Sequence, residues 1–426
     1  MTKTSKKMKK SIIFIAVLFS TAICAAQEPK IMYIMKNNAV THEIAISDID
    51  SIVFYKPETP PVVITPDDFF QNEENVKVAV TGAFANFSDF VKQFYLIEAL
   101  YSNVIDLEES QGSLFYTYRD ILNHTIVPIN TQITDLWANA YKAIRMQNFL
   151  LDKLDKEKYS NYLYTVSVLQ AYTYFTIINC WGNVPFVNEQ NYDSMDLLSQ
   201  IGRTPEGQIL SVLVNKLLDA EKNLPDTEVE NSIYFSKSFA QFLLAKIYTY
   251  QKNYIKALEY TTKIIGSGYF SLSANVIDIY NDKRNVELIT KLITTYVGVD
   301  NSQNQDWISM IQKGNYMPFA RYAEVILLAS ENNLKIGNSS SATYCLNLLR
   351  VRNNRSLLNT NNNTEIENAI IEEYKQDIGK EGVYFFALKR FDMAEKILNI
   401  ESYRKLFPIP MREVILNPNM TQNEGY

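Results

Sequence analysis

Histidine is nearly absent from this 426-residue chain, and cysteine is scarce. His42 and His124 are the only histidines and stand in different parts of the sequence, and only three cysteines accompany them. No His-rich metal cluster and no Cys–His pair can be assembled from such spacing. Also missing are a Gly-x-Ser-x-Gly elbow, a Gly-rich phosphate loop ending in Lys, and a His-Glu-x-x-His helix. Adjacent acids do occur at Asp67–Asp68, Glu108–Glu109 and Glu372–Glu373. A glycosidase needs two facing carboxylates, but solvated helix ends and loops carry such pairs routinely, and that plainer reading is preferred. The sequence argues against an enzyme and implies no cofactor.

Glycine and proline are also few, 13 of each, while 47% of residues are apolar, so a substantial folded core is expected rather than a low-complexity chain. Long apolar runs are confined to the N-terminus. Lys3, Lys6, Lys7, Lys9 and Lys10 precede Ile12–Phe19, and Ala22, Ala25 and Ala26 come next. This is the order of an export signal, too short to span a membrane. Cys24 offers a lipid attachment point, although Ile23 stands where a lipobox places a small residue; cleavage after Ala26 is the competing and preferred reading. Without residues 1–26, and so without their five lysines, the chain has 36 basic against 47 acidic residues, a net of −11. That balance disfavours nucleic acid as a partner. Cys180 and Cys345 sit in apolar surroundings and read as buried free thiols.

The order of patterns divides the chain into a signal peptide (1–26), a small β module (27–56), a Pro-rich linker (57–66) and a helical domain (67–426). Ile31–Met35, Thr41–Ile46 and Ser51–Tyr55 are short β-prone runs, the first two joined at Lys36-Asn37-Asn38. Pro57, Pro60, Pro61 and Pro66 stiffen the linker. Helical periodicity then predicts helices over 67–88, 91–102, 131–154, 158–180, 204–223, 235–251, 254–266, 318–336, 340–353, 364–379 and 383–398, with short connections that make neighbours antiparallel. Leu244, Ala245, Tyr248, Tyr254 and Ala257 have tetratricopeptide spacing, in which small residues mark the contact of two helices. Leu328–Leu346 offers a degenerate second copy. Within Phe319–Glu331, Arg321 and Glu324 are expected to pair on one helix face. The fold class is therefore mainly α: a tetratricopeptide-like helical-repeat scaffold with irregular loops, behind an N-terminal β-hairpin module.

Five segments, taken in order, resemble the SusD/RagB family of outer-membrane nutrient-binding proteins of Bacteroidetes. They are Leu136-Trp137 to Tyr141 with Ile144 and Asn148; Ala171-Tyr172 to Phe175 with Trp181-Gly182-Asn183-Val184-Pro185; Arg203-Thr204-Pro205 to Leu224-Pro225; Arg321-Tyr322-Ala323-Glu324 with Leu349-Arg350-Val351-Arg352; and Phe407-Pro408-Ile409-Pro410 to Tyr426. The resemblance implies a non-enzymatic surface protein that lies over a TonB-dependent outer-membrane transporter as a lid and captures glycans or, in some branches, peptides. Three departures stand out. Val297–Phe319 is shorter than in the family, the lipobox is poor, and Tyr374, Tyr384 and Ala387 occupy positions that usually carry Arg, Arg and Asp. Loss of both signs together implies a charged network replaced by packing.

A glycan site needs aromatic faces with Asn, Asp or Gln beside them, preferably on loops. Two stretches qualify: Asp106–Arg119, with Asp106, Phe115, Tyr116 and Tyr118, and Asn301–Tyr316, with Trp307 and Tyr316. Trp307 is the leading single residue because its neighbours are strongly polar; Trp137 and Trp181 read as core. The alternatives to oligosaccharide capture are peptide capture on the same scaffold, or a structural or adhesive surface protein with no small ligand.

Overall fold

The computed structural model describes residues 30–49, 52, 65–107, 114–229, 233–281, 284–293 and 316–426. It divides into two compact units, residues 1–64 and Thr65–Tyr426. In the first, β1 (Ile31–Lys36) and β2 (Ala39–Ala45) form an antiparallel hairpin. Asn37 and Asn38 both adopt positive φ, as a tight two-residue turn matched to the strand twist requires. Ser51 and Val53–Tyr55, most of the third β-prone run, lie outside the described residues, as do Cys24, Glu108, Glu109 and residues 1–26.

The second unit is a succession of helices: α1 (Glu73–Tyr101), α2 (Leu114–Leu122), α3 (Thr131–Lys153), α4 (Ser160–Trp181), α5 (Glu206–Asn223), α6 (Lys237–Tyr250), α7 (Tyr254–Gly266), α8 (Tyr322–Lys335), α9 (Ser339–Arg352), α10 (Asn363–Ile378) and α11 (Tyr384–Arg390). Each long helix packs on its neighbours in turn: α1 on α3, α3 on α4, and so on through α6, α7 and α8 to α9 and α10; α11 returns to α1. Side-chain caps begin many of them. Asn72, Asn130, Ser236, Asn253, Asn338 and Asn362 each accept a hydrogen bond from a first-turn N–H. The α6–α7 hairpin has the expected repeat contact, with Ala245 and Ala257 fully buried, and α8–α9 is the second copy. Trp137, Trp181 and the α4 aromatics are core, as expected. Cys180 and Cys345 are both free, the first buried and the second half-buried.

Several boundaries differ from the periodicity. One 29-residue helix, α1, replaces the two expected over 67–102, because residues 88–91 continue its buried face without a break. The span 383–398 divides into α11 and a short helix Ala394–Leu398, since Asp392 takes positive φ. The stretch expected to open a helix at residue 318 is instead β4 (Tyr316–Arg321), paired antiparallel with β3 (Leu288–Ile293). All six β4 residues are buried, so its apolar run reads as helix or strand equally well.

That strand delivers Arg321 into the interior, where it is 0% exposed. Its Nε donates to both Glu381 oxygens at 2.9 and 3.0 Å, Nη1 to Glu287 at 2.6 Å, and Nη2 to the Asp377 carbonyl at 2.7 Å. Arg352 pairs with Glu287 at 3.0 Å and with Asp377, while Arg350 and Arg355 pair with Glu373 at 3.2 and 3.1 Å. Four guanidinium groups thus meet four carboxylates. Burial works against the Arg321 charge, but Glu381, Tyr280, Asp377 and Glu287 outweigh it and hold its pKa above the ordinary value.

Three expectations change here. Arg321 does not pair with Glu324, which instead binds Lys246 at 2.6 Å. Glu373 is a buried partner of two arginines rather than a solvated helix charge. Tyr384 and Ala387 do enter the apolar core, but Tyr374 donates to Glu331 at 3.0 Å beside Arg390, which holds Glu331 at 2.7 and 2.8 Å. Charge is retained there because other residues supply both signs.

The C-terminal tail closes one end of the helices. Phe407 N–H donates to Cys180 O at 2.7 Å, Trp181 Nε1–H to Pro408 O at 3.0 Å, and Tyr101 Oη–H to Arg404 O at 2.6 Å. Arg203 donates to Asn183 O, Trp181 O, Thr421 O and Asn423 Oδ1, so three segments distant in sequence meet on one guanidinium. Gly425 has φ +91° and a Cβ there would stand 2.3 Å from the Tyr403 ring, which accounts for glycine before the terminal tyrosine.

The buried charges lead to two stability predictions. Arg321→Ala takes from Glu381 its ion-pair partner and from Glu287 and Asp377 one of their two, and is expected to cost about 3–5 kcal/mol, read as a lower urea midpoint; an unchanged midpoint contradicts the central role of this residue. Glu98, buried under the N-terminus of α11, has its pKa raised from 4.5 to about 8, chiefly by loss of hydration, against the donating N–H groups of Phe385 and Tyr384. Between those values the unfolded chain ionises while the folded one stays protonated, so stability falls as pH rises, by roughly 1.4 kcal/mol per unit. Glu98→Gln is expected to flatten that part of the pH profile relative to the parent; parallel profiles contradict it.

Candidate functional site

The face of α1 that carries Lys77, Thr81, Phe84 and Ser88, spaced at i, i+4, i+7 and i+11, looks into a cavity of about 770 Å³. Its other walls are Thr227–Val229, Ile233–Phe235, the turn at Tyr269–Phe270, and residues Arg284–Val286 and Leu288–Leu292, which lead into and include most of β3. The size falls within the range of small-ligand pockets.

The walls combine aromatic faces with hydrogen-bonding groups. Phe84 and Phe235 meet edge to face at 5.2 Å, and Phe235 N–H is held by Thr165 Oγ1 at 3.0 Å, which fixes the floor. Tyr234 packs edge-on against Tyr162 at 4.8 Å. Tyr269, 52% exposed, stands at the rim, where Gly268 turns the chain with φ +71°. Glu228 takes a hydrogen bond from Thr290 Oγ1 at 2.5 Å and an ion pair from Lys291. Asn285 is oriented by Ser273 and by the Glu287 N–H. Ser88 lies in the same wall, with its hydroxyl buried behind the surface and without a hydrogen-bond partner among the described residues. A buried polar group left in this way is costly unless something else satisfies it.

The residues singled out from the sequence fall elsewhere. Tyr316 begins β4, is only 2% exposed, and donates its hydroxyl to Ile279 O at 2.6 Å; it packs inside rather than facing a ligand. Tyr116 and Tyr118 lie on helix α2, not on a loop: Tyr116 is 68% exposed, and Tyr118 is half-buried, with its phenol pKa raised by burial and by Asp135. Phe115 is on the same helix, and its side chain lies outside the described residues. Asp106 is exposed and accepts from Leu107 N–H at 2.8 Å. Tyr316, Tyr116, Tyr118 and Asp106 do not line the cavity. Trp307 lies outside the described residues, in the segment between β3 and β4. The criterion of an aromatic among polar neighbours would have found Tyr234, after Asn231-Ser232, and Tyr269, after Ser267-Gly268.

Among the described residues no cluster of His, Cys, Asp and Glu is placed to hold a metal ion, and no helix is long and apolar enough to cross a membrane. A helical-repeat scaffold with a cavity between its long first helix and β3 is a fold class shared with known proteins. A family model described as "Starch-binding associating with outer membrane" matches residues 67–249, and the SusD family model matches 247–405. The chain belongs to the SusD/RagB family. It is 27% identical over 271 residues to SusD-like protein P25 of Formosa agariphila, covering 60% of this chain and 51% of that protein. With SusD-like protein P2 of the same organism it shares 22% identity over 87% of this chain and 96% of the relative. Among solved structures, a laminarin binding SusD-like protein superimposes with a TM-score of 0.69 at 17% identity, over 83% of this chain and all of that one. Surface glycan-binding protein A from Bacteroides thetaiotaomicron, in complex with laminarihexaose, gives 0.64 at 19% identity, over 82% and 99%.

Proposed function

We propose that the chain is a surface glycan-binding protein of the outer membrane that captures an oligosaccharide in the cavity between α1 and β3. The observation that carries this reading is the lining itself. Tyr269, half-exposed at the rim, offers a ring face for sugar C–H groups, while Thr81 and Asn285 offer donors and acceptors for sugar hydroxyls. Starch and laminarin binding among relatives support a saccharide ligand. Trp307, in the segment that joins β3 to β4, is proposed as a further contact, and a TonB-dependent transporter as the partner that receives the ligand.

The test is calorimetric titration with a panel of oligosaccharides. Tyr269→Ala is expected to weaken binding about three- to tenfold, the range of a lost aromatic contact. Thr81→Val, which keeps the shape and removes the hydroxyl from the cavity wall, is expected to weaken it as well while leaving thermal stability near the parent's. Binding that survives both variants sinks the cavity as the site, and absence of binding to any saccharide sinks the function. Affinity purification from gently solubilised outer membranes is expected to recover a transporter of this class in stoichiometric amount; recovery of the chain alone contradicts the lid role.

A further inference from the structure

A second, smaller cavity opens where the end of α4, the α6–α7 turn, α8 and the end of α11 meet, with a volume of about 160 Å³. That is below the range of pockets for drug-sized ligands and leaves room for one amino acid or one sugar ring. Tyr250, Tyr254 and Phe386 give it aromatic walls, and Lys389, Arg390 and Asp392 bring charge of both signs.

Those charges are incompletely spent. Lys389 makes one hydrogen bond, to Asn179 O at 2.5 Å, and its ammonium lies 5.5 and 5.7 Å from the Phe385 and Phe386 ring centres, with no carboxylate in ion-pair reach among the described residues. Burial brings its pKa down to about 8 in spite of Cys180 and Glu206, with Lys405 and Arg390 adding to the fall. Arg390 uses Nε and Nη2 on Glu331 and Tyr374, which leaves Nη1 without a hydrogen bond among the described residues. Glu331 is compensated by those same two side chains. The half-buried Tyr254 has no hydrogen bond on its hydroxyl among the described residues, and that hydroxyl feels both Arg390 and Asp392. Asp392, exposed on the rim at φ +54°, has no ion pair among the described residues, and Lys252 stands exposed beside the same opening. A neutral sugar leaves these charges unanswered, and a plain carboxylate is opposed by Asp392. A small molecule that carries both signs answers both.

We propose that this cavity is a second binding site, for a free α-amino acid. The ligand carboxylate sits on Lys389 and Arg390 Nη1, its ammonium faces Asp392, and its side chain lies against Tyr250, Tyr254 and Phe386. The two cavities share no lining residue, so this site does not depend on the glycan reading.

The experiment is calorimetric titration of the full chain with L-leucine and L-phenylalanine, each beside its amide, which lacks the carboxylate charge, and its deamino acid, which lacks the ammonium. At least one amino acid is expected to bind about tenfold more tightly than both of its truncated forms. Asp392→Asn, an exposed position, is expected to weaken the amino acid about three- to tenfold and to leave the deamino acid unchanged or tighter, with an unchanged melting temperature. Lys389→Met is expected to weaken the amino acid and the deamino acid together. No binding of either amino acid, truncated forms bound equally well, or affinity unchanged in both variants overturns the proposal. Failure of the saccharide panel leaves it standing, and displacement of the amino acid by a bound oligosaccharide overturns the separate site.

Discussion

The ion cluster around Arg321 is the constraint on which the second unit's architecture depends. A guanidinium with no exposure to water is tolerable only when carboxylates surround it, and those come from three places: Glu287 before β3, Asp377 on α10 and Glu381 just after it. Arg352 on α9 shares two of them. The β3–β4 hairpin is thereby tied to the last helical pair, and with it one wall of the cavity. Displacing any partner leaves buried charge under-compensated in a low-dielectric interior, so geometry is enforced more sharply than by apolar packing, which tolerates sliding.

From that anchor the cavity is built outward. Glu287 fixes the entry to β3 with its backbone as well as its side chain, accepting from Tyr322 N–H at 2.9 Å and from Ser273 N–H at 2.8 Å. The next residues of β3 present Thr290 and Lys291 to Glu228, while α1 presents its polar stripe from the other side. The Ser88 hydroxyl behind that wall is buried and unsatisfied among the described residues, a local cost of the packing. Aromatic residues thus serve two purposes here: most, such as Phe87, Phe94 and Phe319, fill the interior, and a few, such as Tyr234 and Tyr269, line the cavity.

Helices with a clear apolar stripe and a capping residue were legible, because α-helical hydrogen bonds are local and leave a period in the sequence. The repeat pair α6–α7 is the plainest case, with Ala245 and Ala257 marking the contact. What failed was any inference that needed a distant partner. Tyr316 looked like a loop aromatic because the polar residues before it are visible and the Ile279 carbonyl is not. Glu373 looked solvated because Arg350 and Arg355 lie about 20 residues away. Arg321 and Glu324 looked paired on helical spacing, but Arg321 belongs to a strand.

The sequence by itself determined the class of element along most of the chain, the repeat hairpin and, through ordered motifs such as Trp181-Gly182-Asn183-Val184-Pro185 and the terminal Gln422-Asn423-Glu424-Gly425-Tyr426, the family. These are short-range signals, since caps, periods and tight turns are written within a few residues. Only the tertiary structure decided which charges face one another, which aromatics are buried, and that Lys77, Tyr234, Tyr269 and Arg284 share one cavity. The reason is physical: burial and Coulomb interactions depend on distance in space, and residues about 200 apart in the chain become neighbours only after the helices have packed.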